Sequence, residues 1–161
     1  MGIKISGTYS SNPELKDKCE AILKIFGSSG ADKEDETQFG PTRVSFADCY
    51  LEGSWRDKAK GNRWLLTEEK SENVINRVKG TAEHPRFIER VPEGAKFAFR
   101  ITFKILMPGD DELFDEVLLK GLKLLEMDTL GGNGSRGYGR IEFEFKKQAM
   151  REKFAELKPF S

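Results

Sequence analysis

Five glycines fall within nine residues, at Gly131, Gly132, Gly134, Gly137 and Gly139, and the one charge among them is Arg136. Glycine tolerates positive φ and lets backbone N–H groups come close to a phosphate, so this spacing suits an anion gripped by main chain and one guanidinium. A flexible connector would also use glycines, but it does not explain their density. The candidate contacts are therefore Gly131, Gly132, Gly134, Ser135, Arg136, Gly137 and Tyr138. A P-loop or dinucleotide fingerprint fails, because these glycines precede a strand-like run instead of opening a helix and no Gly-Lys-Ser/Thr follows.

A second dense stretch runs from Thr67 to Val91. Lys70, Arg77, Lys79, Arg86 and Arg90 are interleaved there with Asn73, Asn76 and Phe87, types that hydrogen-bond phosphates and stack on bases. Asn73, Arg77, Lys79, Arg86 and Arg90 are the candidate contacts. A solvated charged hairpin is the plainer reading of this segment alone; its combination with the glycine loop favours nucleic acid. Arg136 to Phe143 also resembles the RNP1 strand of RNA recognition motifs, with Arg140 where an aromatic is usual. That strand is normally followed by another helix and strand, whereas only a short tail, Lys147 to Ser161, remains here. A stand-alone RRM-like domain for single-stranded RNA is the alternative reading. His84, the only histidine, precedes a proline in the charged stretch and reads as surface, not as a general acid or base. Asp128 reads as a cap or brace for the glycine loop.

Equal numbers of basic and acidic side chains, 27 each, give zero net charge, which at first sight disfavours polyphosphate, since such binding is driven by cations that release counterions. The sum hides segregation. Asp110, Asp111, Glu112, Asp115 and Glu116 open one predicted helix, where carboxylates favour the positive end of the helix dipole. Arg56 to Arg90 holds nine basic and six acidic residues, and Arg136 to Lys153 holds six and three, so basic surface remains available. Charged residues are 34% of the chain, and no apolar run approaches the roughly 20 residues that cross a bilayer. With no apolar leader in MGIKISGT, and with Cys19 and Cys49 read as buried free thiols, cytoplasm is the expected compartment.

The elements that must position these residues follow from periodicity. Ile3 and Ile5 open a short strand that ends at Gly7. Leu15, Cys19, Ile22 and Phe26 recur at helical spacing from Glu14 to Phe26, with Pro13 at the start and Gly27 as C-cap. Arg43 to Leu51 reads as a strand, and Lys96 to Leu106 as the clearest one, with Phe97, Phe99, Ile101, Phe103 and Ile105 on its core face. Phe114, Val117, Leu118, Gly121, Leu122 and Leu125 predict a helix to about Met127. Arg140 to Lys146 reads as the last strand, with Ile141, Phe143 and Phe145 inward. The order matches an α+β, ferredoxin-like (RRM-like) β-α-β-β-α-β fold in one domain. The excursion from Gly53 to Pro92 is too long for a structureless loop and reads as a protruding hairpin.

Three groups of residues carry a more specific resemblance: Ile25-Phe26-Gly27-Ser28; Glu72-Asn73-Val74-Ile75-Asn76-Arg77 with His84-Pro85-Arg86-Phe87-Ile88-Glu89-Arg90; and Leu124-Leu125-Glu126-Met127-Asp128 running into the glycine loop. In that order, over most of residues 3 to 145, they resemble the backbone subunit of type III-A (Csm) CRISPR interference complexes, a member of the RAMP superfamily. The resemblance implies a RAMP domain over 1 to 161 with a thumb hairpin at 53 to 92. Copies would line up along a guide RNA as a filament, the thumbs kinking the guide–target duplex. It implies guide RNA, target RNA and other Csm subunits as partners, and endoribonuclease cleavage of target RNA, with Mg2+, as the family activity. In the family several dozen residues separate the first strand, here Ile3 to Thr8, from the helix that ends at Phe26. They carry the cutting aspartate and a Gly-Ser-Ser-x-x-Lys-Gly-Lys-like segment that grips guide phosphates. Here Tyr9-Ser10-Ser11-Asn12 bridges that gap, so the expectation is a chain that binds RNA with no catalytic residue and no cofactor of its own.

Overall fold

The computed structural model describes residues 12–27 and 39–160; the expected strand at Ile3–Gly7 lies outside them, as does most of the polar stretch after Gly27. Helices are mixed with small two-stranded antiparallel sheets, and the chain divides into two compact units, Met1–Ser45 with Thr102–Ser161, and Phe46–Ile101.

The first unit begins with helix α1, Pro13–Phe26. Proline at the first position, the Asn12 side chain accepting from the Leu15 N–H at 3.3 Å, and Gly27 at φ +86° define its ends. A Cβ on Gly27 would stand 2.8 Å from Thr42 Cγ2, so the cap also allows the return chain to approach. The buried side chain of α1 is Ile25, while Leu15, Ile22 and Phe26 of the expected stripe are exposed. The helix is anchored at its C-terminal end, where the Arg43 N–H donates to the Lys24 carbonyl at 3.3 Å.

Arg43 is the residue that composition hid. Its guanidinium is 2% exposed, faces Asp110 at 3% exposed, and places Nε 3.2 Å from Asp110 Oδ2. Nη1 donates to the carbonyls of Phe39 and Pro41. The same Oδ2 accepts the backbone N–H groups of Leu106 and Met107 at 2.9 and 3.0 Å. Burial alone would raise the Asp110 pKa, but these backbone donors and Arg43 hold it below the ordinary aspartate value. Asp110 therefore starts its helix as the partner of a buried cation, beyond the dipole role its position suggests.

From Asp110 the helical segment runs as α3, Asp110–Leu113, a π turn at Phe114–Leu119, and α4, Lys120–Met127. The wider turn brings consecutive residues Leu118 and Leu119 into the core with Leu122. Leu119 falls off the 3.6-residue stripe and is nonetheless buried. Arg140–Lys146 pairs with no strand among the described residues, although Ile141, Phe143 and Phe145 are half-buried between exposed neighbours. The tail forms a further helix, α5, Gln148–Glu156. Its Phe154 is buried, edge-on to Phe143 at 6.1 Å and tilted on Phe145 at 4.9 Å, and Lys153 reaches Asp115 at 2.6 Å. One buried side chain in nine mostly polar residues leaves little periodic signal.

The strands expected at 43–51 and 96–106 are each broken in two: β1 Val44–Phe46, β2 Tyr50–Leu51, β5 Phe97–Ala98 and β6 Ile101–Phe103. In the second unit the Ala47 N–H donates to the Arg100 carbonyl at 3.2 Å, while Tyr50 pairs with Ala98. Asp48 and Cys49 thus oppose Phe99 alone, a bulge that interrupts both strands. Phe97 and Phe99, and Ile105 beyond β6, are exposed, while Ile101 and Phe103 of the same expected face are half-buried. Cys49 is likewise an exposed free thiol, not a buried one, and Cys19 is half-buried. Helix α2, Gly53–Gly61, buries Ala59, and the long hairpin of β3, Glu68–Asn76, and β4, Thr81–Arg90, follows.

Replacing Asp110 by Asn leaves Arg43 charged and buried, and is expected to cost about 3–5 kcal/mol of stability in urea unfolding at neutral pH. Because the folded-state pKa of Asp110 is depressed, its contribution is full above the ordinary aspartate pKa of about 3.9 and is lost as pH falls through the folded value. Asp110→Asn is therefore expected to lose less stability than the parent chain between pH 6 and pH 3.

Candidate nucleic-acid interface

The glycine loop is a built structure. The Leu130 N–H donates to the Gly139 carbonyl at 2.8 Å and closes its base. Gly139 has φ +72°, and a Cβ there would fall 2.2 Å from the Leu130 carbonyl oxygen, so only glycine fits. A Cβ at Gly134 would stand 2.3 Å from Thr129 Oγ1. Gly134–Arg136 forms one 3-10 turn, with the Arg136 N–H on the Asn133 carbonyl and the Gly137 N–H on the Gly134 carbonyl, both at 2.9 Å. Asn133 and Gly137 flank it in the left-handed region, at φ +61° and +79°. Gly132 is different: it needs no positive φ and a side chain there would meet nothing within 4 Å. Neither a left-handed conformation nor close packing requires glycine there.

Arg136 and Ser135 are exposed on this loop, and Tyr138 is 6% exposed. Tyr138 thus anchors the loop with its ring in the core and does not present that ring to a ligand. An RNP1 strand needs that ring on its surface for stacking, which removes the stand-alone RRM reading even though α5 supplies the helix that the reading lacked. Asp128 contributes its backbone: its N–H closes α4 on the Leu124 carbonyl at 3.0 Å, while the carboxylate is exposed. The bracing expected of Asp128 falls to Glu126, whose carboxylate accepts from Lys123 Nζ at 2.8 Å and from the Phe143 N–H at 2.9 Å. Burial pushes the Glu126 pKa up, but those two donors leave it below the usual glutamate value. Glu126 therefore ties α4 to the segment leaving the loop. Its position among apolar helix residues was the available sign. Between them opens a polar cleft of about 590 Å³, lined by Glu126, Asp128, Thr129, Ser135 and Arg140 among others.

The β3–β4 hairpin arranges its cations in two ways. Glu68 faces Arg90 and Glu72 faces Arg86 across the ladder, with ion pairs at 2.5 and 3.6 Å. Arg86 and Arg90 are thus held by carboxylates as cross-strand pairs. Arg77 and Lys79 sit at the tip in no ion pair among the described residues, on either side of Val78, which is 97% exposed. Asn76 builds that tip: its Oδ1 accepts from the Val78 and Lys79 N–H groups at 3.1 Å each, and its carbonyl accepts from Gly80 at 2.8 Å. Glu72 pairs with Arg86 but Val74 with Glu83, so His84 and Pro85 oppose Asn73 alone. His84 is the left-handed residue of this bulge, φ +53°, and Pro85, which has no N–H to donate, is tolerated there. The bulge leaves Asn73 exposed.

The loop geometry separates two glycines. Gly139→Ala is expected to destabilise by at least about 2 kcal/mol, from left-handed strain plus the clash with Leu130. Gly132→Ala is expected within about 0.5 kcal/mol of the parent. Urea unfolding of the two variants checks both.

The RAMP superfamily is matched over residues 5–142. A protein of Methanocaldococcus jannaschii is 43% identical over 128 residues, covering 78% of this chain and 48% of its own length. One from Streptococcus thermophilus is 35% identical over 130 residues, covering 80% and 56%, and one from Mycobacterium tuberculosis is 37% identical over 135 residues, covering 76% and 53%. Each bears the name CRISPR system Cms endoribonuclease Csm3. The chain spans about half the length of these curated relatives. With a match that runs through α1, both units and the glycine loop, this chain belongs to the RAMP superfamily.

Proposed function

We propose that this chain is a guide-RNA-binding backbone subunit of a type III-A (Csm) CRISPR interference complex, assembled in the cytoplasm with copies of itself and other Csm subunits on a guide that pairs with target RNA. The observation that carries this reading is the glycine loop: a rigid turn that keeps bare backbone at Gly132 and an exposed Arg136 together, in a RAMP chain similar to proteins named as Csm endoribonucleases. Gly131, Gly132, Gly134, Ser135, Arg136 and Gly137 would meet guide phosphates. The hairpin would act as the thumb, with Asn73, Arg77 and Lys79 open to the duplex and Arg86 and Arg90 exchanging carboxylate for phosphate. The ferredoxin-like β-α-β-β-α-β order belongs to the same reading. No helix among the described residues is long and apolar enough to cross a membrane.

Cleavage is a separate matter. Among the described residues no three or more His, Cys, Asp and Glu side chains converge to hold a metal ion. Glu126 is committed to Lys123 and Phe143, and Asp128 is left as the open carboxylate next to the loop. The reading made from the residues is a chain that binds RNA, with none of its residues assigned to cleavage.

Arg136→Ala is expected to weaken guide-RNA binding by about 1–3 kcal/mol, the range of a charge-assisted contact, with an unchanged melting temperature. Unchanged affinity at fixed salt would remove the loop from the interface. A guide-loaded preparation of this chain alone is expected to leave labelled target RNA intact with Mg2+ present, because metal-assisted phosphodiester cleavage needs a positioned carboxylate beside the scissile phosphate. Regularly spaced fragments on a denaturing gel would show that another carboxylate serves.

A further inference from the structure

A third cationic surface lies at the end of α2, in neither the glycine loop nor the hairpin. From Gly53 to Trp64 the chain carries Arg56, Lys58, Lys60 and Arg63 against one acid, Asp57. Arg56 is paired with Asp57 at 3.3 Å, whereas Lys60 and Arg63 are exposed and in no ion pair among the described residues. The helix closes with the Trp64 N–H on the Ala59 carbonyl at 2.8 Å and the Arg63 N–H on the Lys60 carbonyl at 3.1 Å. That pair of bonds is a Schellman closure, and its left-handed residue is normally glycine. Here it is Arg63, at φ +55°. The indole of Trp64 is 50% exposed, with Lys58 Nζ 5.6 Å from its ring.

Lysines in a last helical turn complement the helix dipole, which accounts for Lys58 and Lys60. It does not account for an arginine in a conformation that glycine adopts freely, nor for a half-exposed indole beside it; strained residues of this kind cluster where a ligand is held. We propose that Trp64 with Lys58, Lys60 and Arg63 forms a second RNA-docking site, which takes single-stranded RNA with a base stacked on the indole and adjacent phosphates on the cations. The exposed Leu65 and Leu66 beside it would suit a protein partner, but four cations against one acid favour a polyanion. The site rests on the reading of this chain as RNA-binding, yet uses none of the residues that carry that reading.

The test uses the full chain and a fluorescent single-stranded uridine oligoribonucleotide of about eight nucleotides, within the usual span of one binding surface. The oligonucleotide is expected to quench tryptophan emission, and Trp64→Ala, which leaves Trp55, is expected to abolish the quenching. In an Arg136→Ala background, Trp64→Ala is expected to weaken binding by about 5- to 150-fold and Trp64→Phe by much less. Lys60→Ala with Arg63→Ala is expected to flatten the log–log salt slope by about 1.4. Arg63→Gly, which relieves the left-handed strain, is expected to raise the melting temperature by about 1–4 °C while lowering RNA affinity. Quenching that persists in Trp64→Ala, or Arg63→Gly with parental RNA affinity, overturns the site. So does a Trp64→Ala chain that keeps its RNA affinity but loses self-association in size exclusion, which would assign the patch to protein. Guide-RNA binding that depends on Arg136 without any Trp64 quenching sinks this site and leaves the proposed function standing; no RNA binding of either kind sinks both.

Discussion

The first unit is organised around one buried ion pair. Arg43 and Asp110 are 67 residues apart in sequence, and both are withdrawn from water. Burial of two charges is unfavourable unless their hydrogen-bonding groups are satisfied, and four of the five hydrogen bonds that the pair's side chains make among the described residues are with main chain. Arg43 gathers the Phe39 and Pro41 carbonyls, and Asp110 gathers the Leu106 and Met107 N–H groups. The pair thereby fixes where β1 begins, where the chain turns after β6 and where the long helical segment starts. Hydrophobic burial by Ile25, Leu118, Leu119 and Leu122 is non-directional and could tolerate a shifted helix; the ion pair could not.

That starting point carries through to the loop. Once Asp110 is fixed, the π turn decides which leucines enter the core, α4 ends at Met127, and the Leu130–Gly139 hydrogen bond sets the base of the loop. Glu126 ties the outgoing segment to α4, and Phe154 of α5 packs over that segment from the tail. The loop is thus closed at its base and bare at Gly132. The second unit is built differently. Ala59 is its fully buried side chain among the described residues, and cross-strand hydrogen bonds and exposed ion pairs supply the rest. Such pairs contribute little each, so this unit suits a surface that adapts to a ligand more than one that presents a preformed pocket.

A net charge of zero is compatible with polyanion binding because the acids are spatially assigned. Glu68 and Glu72 stand opposite Arg90 and Arg86, Asp115 meets Lys153, and Asp110 is consumed inside the core. Cations at the hairpin tip, Arg77 and Lys79, and at the end of α2, Lys60 and Arg63, are exposed and in no ion pair among the described residues. Binding by such residues is expected to fall steeply with salt even though the whole protein is neutral.

What local chemistry dictates was legible along the chain. Pro13 and Gly27 bound α1, Asn76 to Gly80 makes a tight tip, the glycines of 131–139 make a phosphate-compatible loop, and the ordered segments from Ile25 to the glycine loop identify the superfamily. These are short-range rules of backbone conformation and residue identity, and they need no partner from elsewhere in the chain. Tertiary structure decided the rest. Arg43 looked like the first residue of a strand until Asp110 enclosed it, and Tyr138 looked like a stacking ring until the core took it. Phe97 and Phe99 looked like one buried face with Ile101 and Phe103 but are left exposed, and α5 was invisible until Phe143 and Phe145 gave Phe154 something to pack on. Each depends on which distant residue arrives opposite, and a periodicity read along one segment cannot carry that information because burial is a property of the pair.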